Sequence, residues 1–156
     1  MNIIEKRDID NFAGIFPLAE MLRERRFVIT GATGLLGACM VKCLLALNKR
    51  YSLDLHVTSV VRNKEKALRI FGEETACHDF YIYDFASSES FSPCDEADYI
   101  VHFASPTASR YFLEYPVETI ITGIRGTEKV LEYAFSHSVK SMAYISSLEV
   151  YGTVYD

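Results

Sequence analysis

Apolar positions along this chain follow two alternating rhythms. Phe27-Val28-Ile29 is a short apolar run ending at Thr30-Gly31, the pattern of a strand buried on both faces. Leu35, Leu36, Cys39, Met40, Cys43, Leu44 and Leu47 then recur at helical spacing and predict a helix over 35–47 with a broad apolar face. The β-branched and apolar stretch Leu55 to Val61 reads as a second strand, Lys64 to Phe71 as a short charged helix, and Phe80 to Tyr83 as a third strand. Serine and acidic residues from Ala86 to Ala97 mark a loop with room for one helical turn. Tyr99-Ile100-Val101-His102-Phe103 makes a fourth strand, and Met142 to Ser146 a fifth. Between them, Pro116 suits the first turn of a long helix running to Ser136. Strands alternating with helices imply an α/β fold with a parallel sheet covered on both faces. Right-handed crossovers give the strand order 3-2-1-4-5.

Residues 1–25 precede this pattern as a helical extension. Ile9, Phe12, Ile15 and Phe16 fall at helical spacing, Asp8 or Asp10 offers an N-cap, and Pro17 divides the segment into two short helices. Packing on the sheet edge or on a partner subunit is the expected role, not chemistry. No repeat or linker divides residues 26–156, which are expected to form one domain.

Composition narrows the picture only slightly. Apolar residues make up 49% of 156, enough for a core, and no apolar run approaches the length that spans a bilayer. The charged start, Met1 to Asp8, lacks a secretory apolar region, so a cytoplasmic protein is expected. A net charge of −5 without a basic cluster argues against a nucleic-acid surface. The four cysteines show no CxxC spacing. Cys39 and Cys43, one helical turn apart, are expected to fill a buried face as reduced thiols, and no metal site is expected.

The segment with chemical content is Thr30-Gly31-Ala32-Thr33-Gly34-Leu35-Leu36-Gly37, between the first strand and its helix. Gly31 permits a tight turn, Gly34 lets a pyrophosphate approach the backbone, and Gly37 allows close helix–strand packing. Backbone N–H groups and the helix dipole favour anionic phosphates there. Thr33, Gly34, Leu35, Leu36 and Gly37 are thus candidate binding positions together with Gly31. Where the second strand ends, the run is Val60-Val61-Arg62-Asn63. Enzymes that prefer NAD place a carboxylate at this position, on the ribose hydroxyls. A guanidinium suits a 2′-phosphate instead, so Arg62 tilts the choice between NAD and NADP slightly towards NADP; a solvent-facing arginine is the other reading.

The G-x-x-G-x-x-G spacing resembles the extended short-chain dehydrogenase/reductase family of nucleotide-sugar epimerases, dehydratases and decarboxylases, over residues 26 to 153. The resemblance implies a Rossmann-like doubly wound sheet, NAD(P), a nucleotide-sugar substrate and a homodimer. It further implies that Asp84 accepts a hydrogen bond from the adenine amino group while the N–H of Phe85 meets the ring. His102-Phe103-Ala104-Ser105-Pro106 matches the H-x-A-(A/S) pattern, whose Phe103, Ala104 and Ser105 would run along the pyrophosphate and nicotinamide ribose; His102 itself is expected to be structural. Ala104-Ser105-Pro106 through Arg110-Tyr111 is most similar to UDP-glucuronate decarboxylases. Where relatives read N-x-x-G-T, this chain reads Gly123-Ile124-Arg125-Gly126-Thr127, and Gly123 replaces an asparagine that ties its helix to backbone near the active site.

Ser147 aligns with the family's catalytic serine or threonine, which hydrogen-bonds the reacting 4-oxygen of the sugar. The family's tyrosine and lysine, Y-x-x-x-K, follow further on; here the last lysine is Lys140, and neither Tyr151 nor Tyr155 has a lysine four residues on. The expectation is therefore an N-terminal, cofactor-binding portion that does not catalyse hydride transfer alone. Glu149 informs on reaction type. Dehydratases read T-D-E-V-Y-G and decarboxylases T-S-E-V-Y-G, while 4-epimerases usually lack the glutamate. Ser147-Leu148-Glu149 keeps the glutamate and loses the aspartate, which disfavours dehydration. A non-catalytic dinucleotide sensor is the alternative reading.

Overall fold

A computed structural model describes residues 3–107 and 109–152; the side chains of Ser109, Tyr111, Leu148 and Glu149 lie outside the described set. Five parallel strands run β1 (Arg26–Thr30), β2 (His56–Val61), β3 (His78–Ile82), β4 (Tyr99–His102) and β5 (Ser141–Tyr144). Their order is β3-β2-β1-β4-β5, as the crossover rule requires. The winding direction reverses between β1 and β4, whose register pairs Phe27 with Tyr99 and Thr30 with His102. A crevice at the carboxyl end of such a pair is where open α/β sheets bind ligands.

Period-two alternation along β1 feeds two separate cores. Phe27 and Ile29 face one side, with Val57 and Val61 of β2 and with Val41, Leu44 and Leu47 of helix α2 (Leu35–Tyr51). Val28 faces the other side, with Val60, Ile100, Tyr83, Phe85, Phe91 and with Val130 and Tyr133 of helix α5 (Pro116–Ser136). Helix α3 (Lys64–Phe71) begins where Asn63 Oδ1 accepts the Lys66 N–H at 2.8 Å and ends at Gly72, whose φ of 84° a side chain would oppose. At the amino-terminal edge of the sheet, Asp98 joins three elements. Its carboxylate accepts the Arg26 N–H at 2.8 Å and lies 2.6 Å from Lys140 Nζ and 3.7 Å from an Arg25 nitrogen.

Several sequence expectations shift. Helix α2 continues to Tyr51, four residues beyond the predicted end, and stops at Ser52 in the left-handed region. Leu35, Leu36 and Cys39, placed on its apolar face by spacing, are exposed, whereas Gly37 between them is buried against Gly31 and Ala32. Cys43 is half-buried, and burial together with the neighbouring Cys39 pushes its thiol up to about 11, so it stays protonated. Helix α1 (Ile3–Ile15) begins before Asp8 and Asp10, which therefore lie within it and cap nothing. It packs on α2, not on the sheet edge, with Ala13 entering the core and the Lys42 ammonium paired to Glu5. Beyond Pro17 the extension forms only a short 3-10 turn, Ala19–Leu22. A six-residue helix α4 (Ser109–Glu114), absent from the sequence expectation, precedes α5. Strand β3 starts two residues early, at His78, and β5 ends at Tyr144 instead of Ser146.

Candidate functional site

Thr30 closes β1 and leads into the glycine turn. Gly31 sits at φ 63°, and a Cβ there would lie 2.8 Å from the Ala104 nitrogen and 2.9 Å from the Phe103 carbonyl carbon. Only a bare backbone lets the turn pass this close to the segment after β4. The Gly34 N–H donates to the Gly31 carbonyl at 2.9 Å, and the Ala38 N–H makes the first helical bond, to the Gly34 carbonyl, also at 2.9 Å. Gly34 is the N-cap of α2 and brings no capping side chain. The first-turn amides of Leu35, Leu36 and Gly37 consequently have no acceptor among the described residues. Leu35 is 90% exposed and Leu36 58%, so these two residues face solvent, while Gly37 is buried. The amides and the helix dipole together make an anion cradle. Gly37 contributes differently from its expected role. A Cβ there would sit 2.4 Å from the Gly31 oxygen, so its bareness seats the helix against the turn itself, not against the strand.

The other predicted residues collect at the same carboxyl edge. Phe103 and Ala104 are half-buried and Ser105 is exposed, its hydroxyl donating to the Pro106 carbonyl at 3.2 Å. Arg62 follows β2, exposed and without a carboxylate partner among the described residues. Asp84 follows β3 by two residues; one carboxylate oxygen accepts the Ala86 N–H at 3.0 Å while its carbonyl accepts the Ser87 N–H at 2.9 Å, so the residue closes its own turn. The ring of Phe85 is buried in the core, leaving only its backbone for a ligand. Thr33 is half-buried beside the glycines. Ser147 lies beyond β5, exposed, with its carbonyl accepting the Val150 N–H at 3.3 Å. Glu149 belongs to a short 3-10 turn, Leu148–Tyr151, and its side chain lies outside the described residues.

A polar pair that sequence reasoning passed over underlies this edge. The Thr30 hydroxyl accepts the Ala104 N–H at 3.1 Å and pairs with His102 Nδ1 at 2.7 Å, both side chains being buried. Burial holds His102 down at about 4, so the ring is neutral, as its expected structural role requires. Thr30 was legible in principle as the hydroxyl residue that ends the strand before the first glycine. A groove of about 580 Å³ shares no residue with the glycine turn. It runs between α5 and β5, walled by Ile124, Thr127, Leu131 and Tyr144, and Gly123 opens into it with nothing within 4 Å of a Cβ. Among the described residues no cluster of metal ligands occurs, and no helix is long and apolar enough to cross a membrane.

Known proteins are similar to this chain in sequence and in fold. A dTDP-glucose 4,6-dehydratase of Streptomyces antibioticus is 29% identical over 130 residues, covering 81% of this chain and 38% of that protein. A UDP-glucose 4-epimerase of Haemophilus influenzae is 26% identical over 126 residues, covering 80% of this chain and 37% of that protein. The chain thus spans under two-fifths of the curated relatives it matches. Among solved structures, the dTDP-glucose 4,6-dehydratase DesIV of Streptomyces venezuelae, with NAD bound, superposes with a TM-score of 0.66 at 21% identity, over 84% of this chain and 42% of that one. The Bordetella bronchiseptica enzyme WbmF, in complex with NAD+ and UDP, gives 0.61 at 20% identity, over 83% and 40%. The family model described as "NAD dependent epimerase/dehydratase family" matches residues 27–156, from the first strand onward, and the chain belongs to that family.

Proposed function

We propose that this chain is the NAD(P)-binding portion of a nucleotide-sugar enzyme that works by transient oxidation at C4 of the sugar. The observation that carries the reading is the set of three first-turn amides, Leu35 to Gly37, left without acceptors among the described residues, beside a turn whose Gly31 abuts the backbone of Phe103 and Ala104. A dinucleotide pyrophosphate fits that cradle, since its charge suits the dipole and its width needs a wall without side chains. The family membership and the NAD bound to DesIV and WbmF support the same cofactor class. Arg62, exposed beyond β2, favours the 2′-phosphate of NADP.

Bound there, NAD(P) supplies the hydride acceptor. In this reading the Ser147 hydroxyl holds the sugar 4-oxygen and Glu149 serves the step after oxidation. Leu148 cannot donate a proton, so decarboxylation or epimerisation is favoured over dehydration, with a UDP-glucuronate decarboxylase the nearest likeness. The 156 residues hold no Y-x-x-x-K after Ser147, and turnover would need residues beyond them. A cytoplasmic location belongs to the same proposal, in keeping with four cysteines that stay unpaired. We expect a homodimer on the exposed apolar face of α5, where Val117, Ile120, Ile124, Leu131 and Phe135 meet solvent.

Calorimetric titration with NAD, NADP and their reduced forms tests the proposal. Saturable binding with NADP ahead of NAD is the expected result, and absence of any binding would refute the cofactor site. A non-catalytic dinucleotide sensor is the second reading, favoured by Gly123, which leaves open the space where relatives carry an asparagine. Turnover of a nucleotide sugar by the enzyme encoded with a downstream Y-x-x-x-K would exclude the sensor.

A further inference from the structure

Lys129 reaches from α5 into the loop that follows β3. Its ammonium donates to the Tyr83 hydroxyl at 2.9 Å, to the Ser87 carbonyl at 2.5 Å and to the Glu89 carbonyl at 2.9 Å. Three donors meet three acceptors, so the group is fully satisfied. None of those acceptors is a carboxylate, and no salt bridge to Lys129 occurs among the described residues. The ammonium also lies 5.3 Å from the centre of the Tyr83 ring, within cation–π range. Tyr83 in turn donates its hydroxyl to the Glu89 carbonyl, so one lysine and one tyrosine tie both limbs of the loop to each other. One turn earlier on the same helix, Gly126 accommodates Phe85; a Cβ at Gly126 would meet Phe85 Cβ at 3.2 Å. Between these two anchors the chain carries Asp84 and the Phe85 backbone.

We propose that Lys129 is a positioning residue for the adenosine half of the dinucleotide, fixing the Asp84–Phe85 backbone from behind. The inference rests on the cofactor reading above and adds a part to it. A charged donor shared by two loop carbonyls removes freedom that the loop would otherwise lose on binding, which is where preorganisation gains affinity. The charge therefore serves loop geometry and not ligand contact.

ADP-ribose, which carries the adenosine and pyrophosphate but no nicotinamide, is the probe, titrated into the full chain and its variants by calorimetry. Lys129→Met keeps the stem and removes the donors; it should weaken ADP-ribose about tenfold and speed hydrogen exchange at amides 84–91, as expected for loss of charge-assisted bonds. Lys129→Arg, which keeps several donors, should recover most of the affinity. In an Asp84→Ala background Lys129→Met should cost little more, because both act through one contact. Unchanged affinity in Lys129→Met, or full additivity with Asp84→Ala, overturns the proposal while leaving the cofactor site standing. Should Lys129→Met fail to fold, Tyr83→Phe, which removes one acceptor and leaves the ring, should weaken ADP-ribose in the same direction, and wild-type affinity there is equally fatal. Failure of the unmodified chain to bind ADP-ribose removes the cofactor reading and this one with it.

Discussion

The Thr30 hydroxyl and His102 Nδ1 stand 2.7 Å apart in the buried seam between β1 and β4. Thr30 already accepts the Ala104 N–H, so its own proton is best used on Nδ1. That choice leaves the His102 proton on Nε2, which finds no acceptor among the described residues. The opposite tautomer would strand both the Thr30 proton and the Nε2 lone pair, two unmet groups in place of one. The chain from Ala104 through Thr30 to His102 thereby locks the end of β1 to the segment that would line the cofactor.

This pair makes the protein acid-sensitive. His102 titrates near 6.5 when unfolded and about 4 when folded, because burial opposes its charge. Between those values the unfolded chain binds a proton that the folded chain refuses, so stability is full above 6.5 and falls as pH drops towards 4. The loss should reach about 3 kcal/mol by the lower end, since each tenfold difference in proton affinity between the two states is worth about 1.4 kcal/mol. His78, held down by burial beside Ser59, acts in the same direction. Urea unfolding at a series of pH values should show the decline. His102→Asn, which keeps an acceptor for Thr30 but cannot titrate, should make it shallower and leave the part owed to His78.

Glycine substitutions separate required bareness from incidental bareness. Gly31→Ala forces a positive φ and a 2.8 Å contact with backbone, and Gly37→Ala a 2.4 Å contact with the Gly31 oxygen. Each should destabilise by about 2 kcal/mol or more, since backbone has little room to yield. Gly123→Ala meets nothing and lies inside α5, so it should stabilise by about 0.5–1 kcal/mol. Thermal melts should place the first two variants below the unmodified chain and the third above it.

Arg62→Ala should remove any preference for NADP over NAD while leaving NAD affinity within about twofold, because a guanidinium contributes mainly through a charged phosphate partner. Parallel titrations with both cofactors read this directly. Equal affinities in the unmodified chain would withdraw the role from Arg62.

The exposed stripe on α5 should make the chain associate. Ile124 is 66% exposed and Phe135 90%, on a helix whose opposite side carries Val130 and Tyr133 into the core. Apolar faces of this kind are rarely left wet. Sedimentation should show mass rising with concentration, and Ile124→Lys should hold the protein monomeric without lowering its melting temperature by more than about two degrees.

Local pattern determined most of the architecture. Buried parallel strands are short apolar runs, their helices repeat every 3.6 residues, and handedness leaves one strand order. The starts of α3 and α5 follow directly from Asn63 and Pro116, since caps act within one turn. The glycine turn was equally legible, because its spacing encodes backbone geometry. What only the tertiary structure decided were contacts between residues that local pattern does not connect: Thr30 with His102, and Lys129 with the loop after Tyr83. The exposure of Leu35, Leu36 and Cys39 belongs with these, as helical spacing says which residues share a face but not which of them another element covers. Periodicity is a property of neighbours on the chain, whereas hydrogen bonds across the sheet depend on register and on where each helix comes to rest.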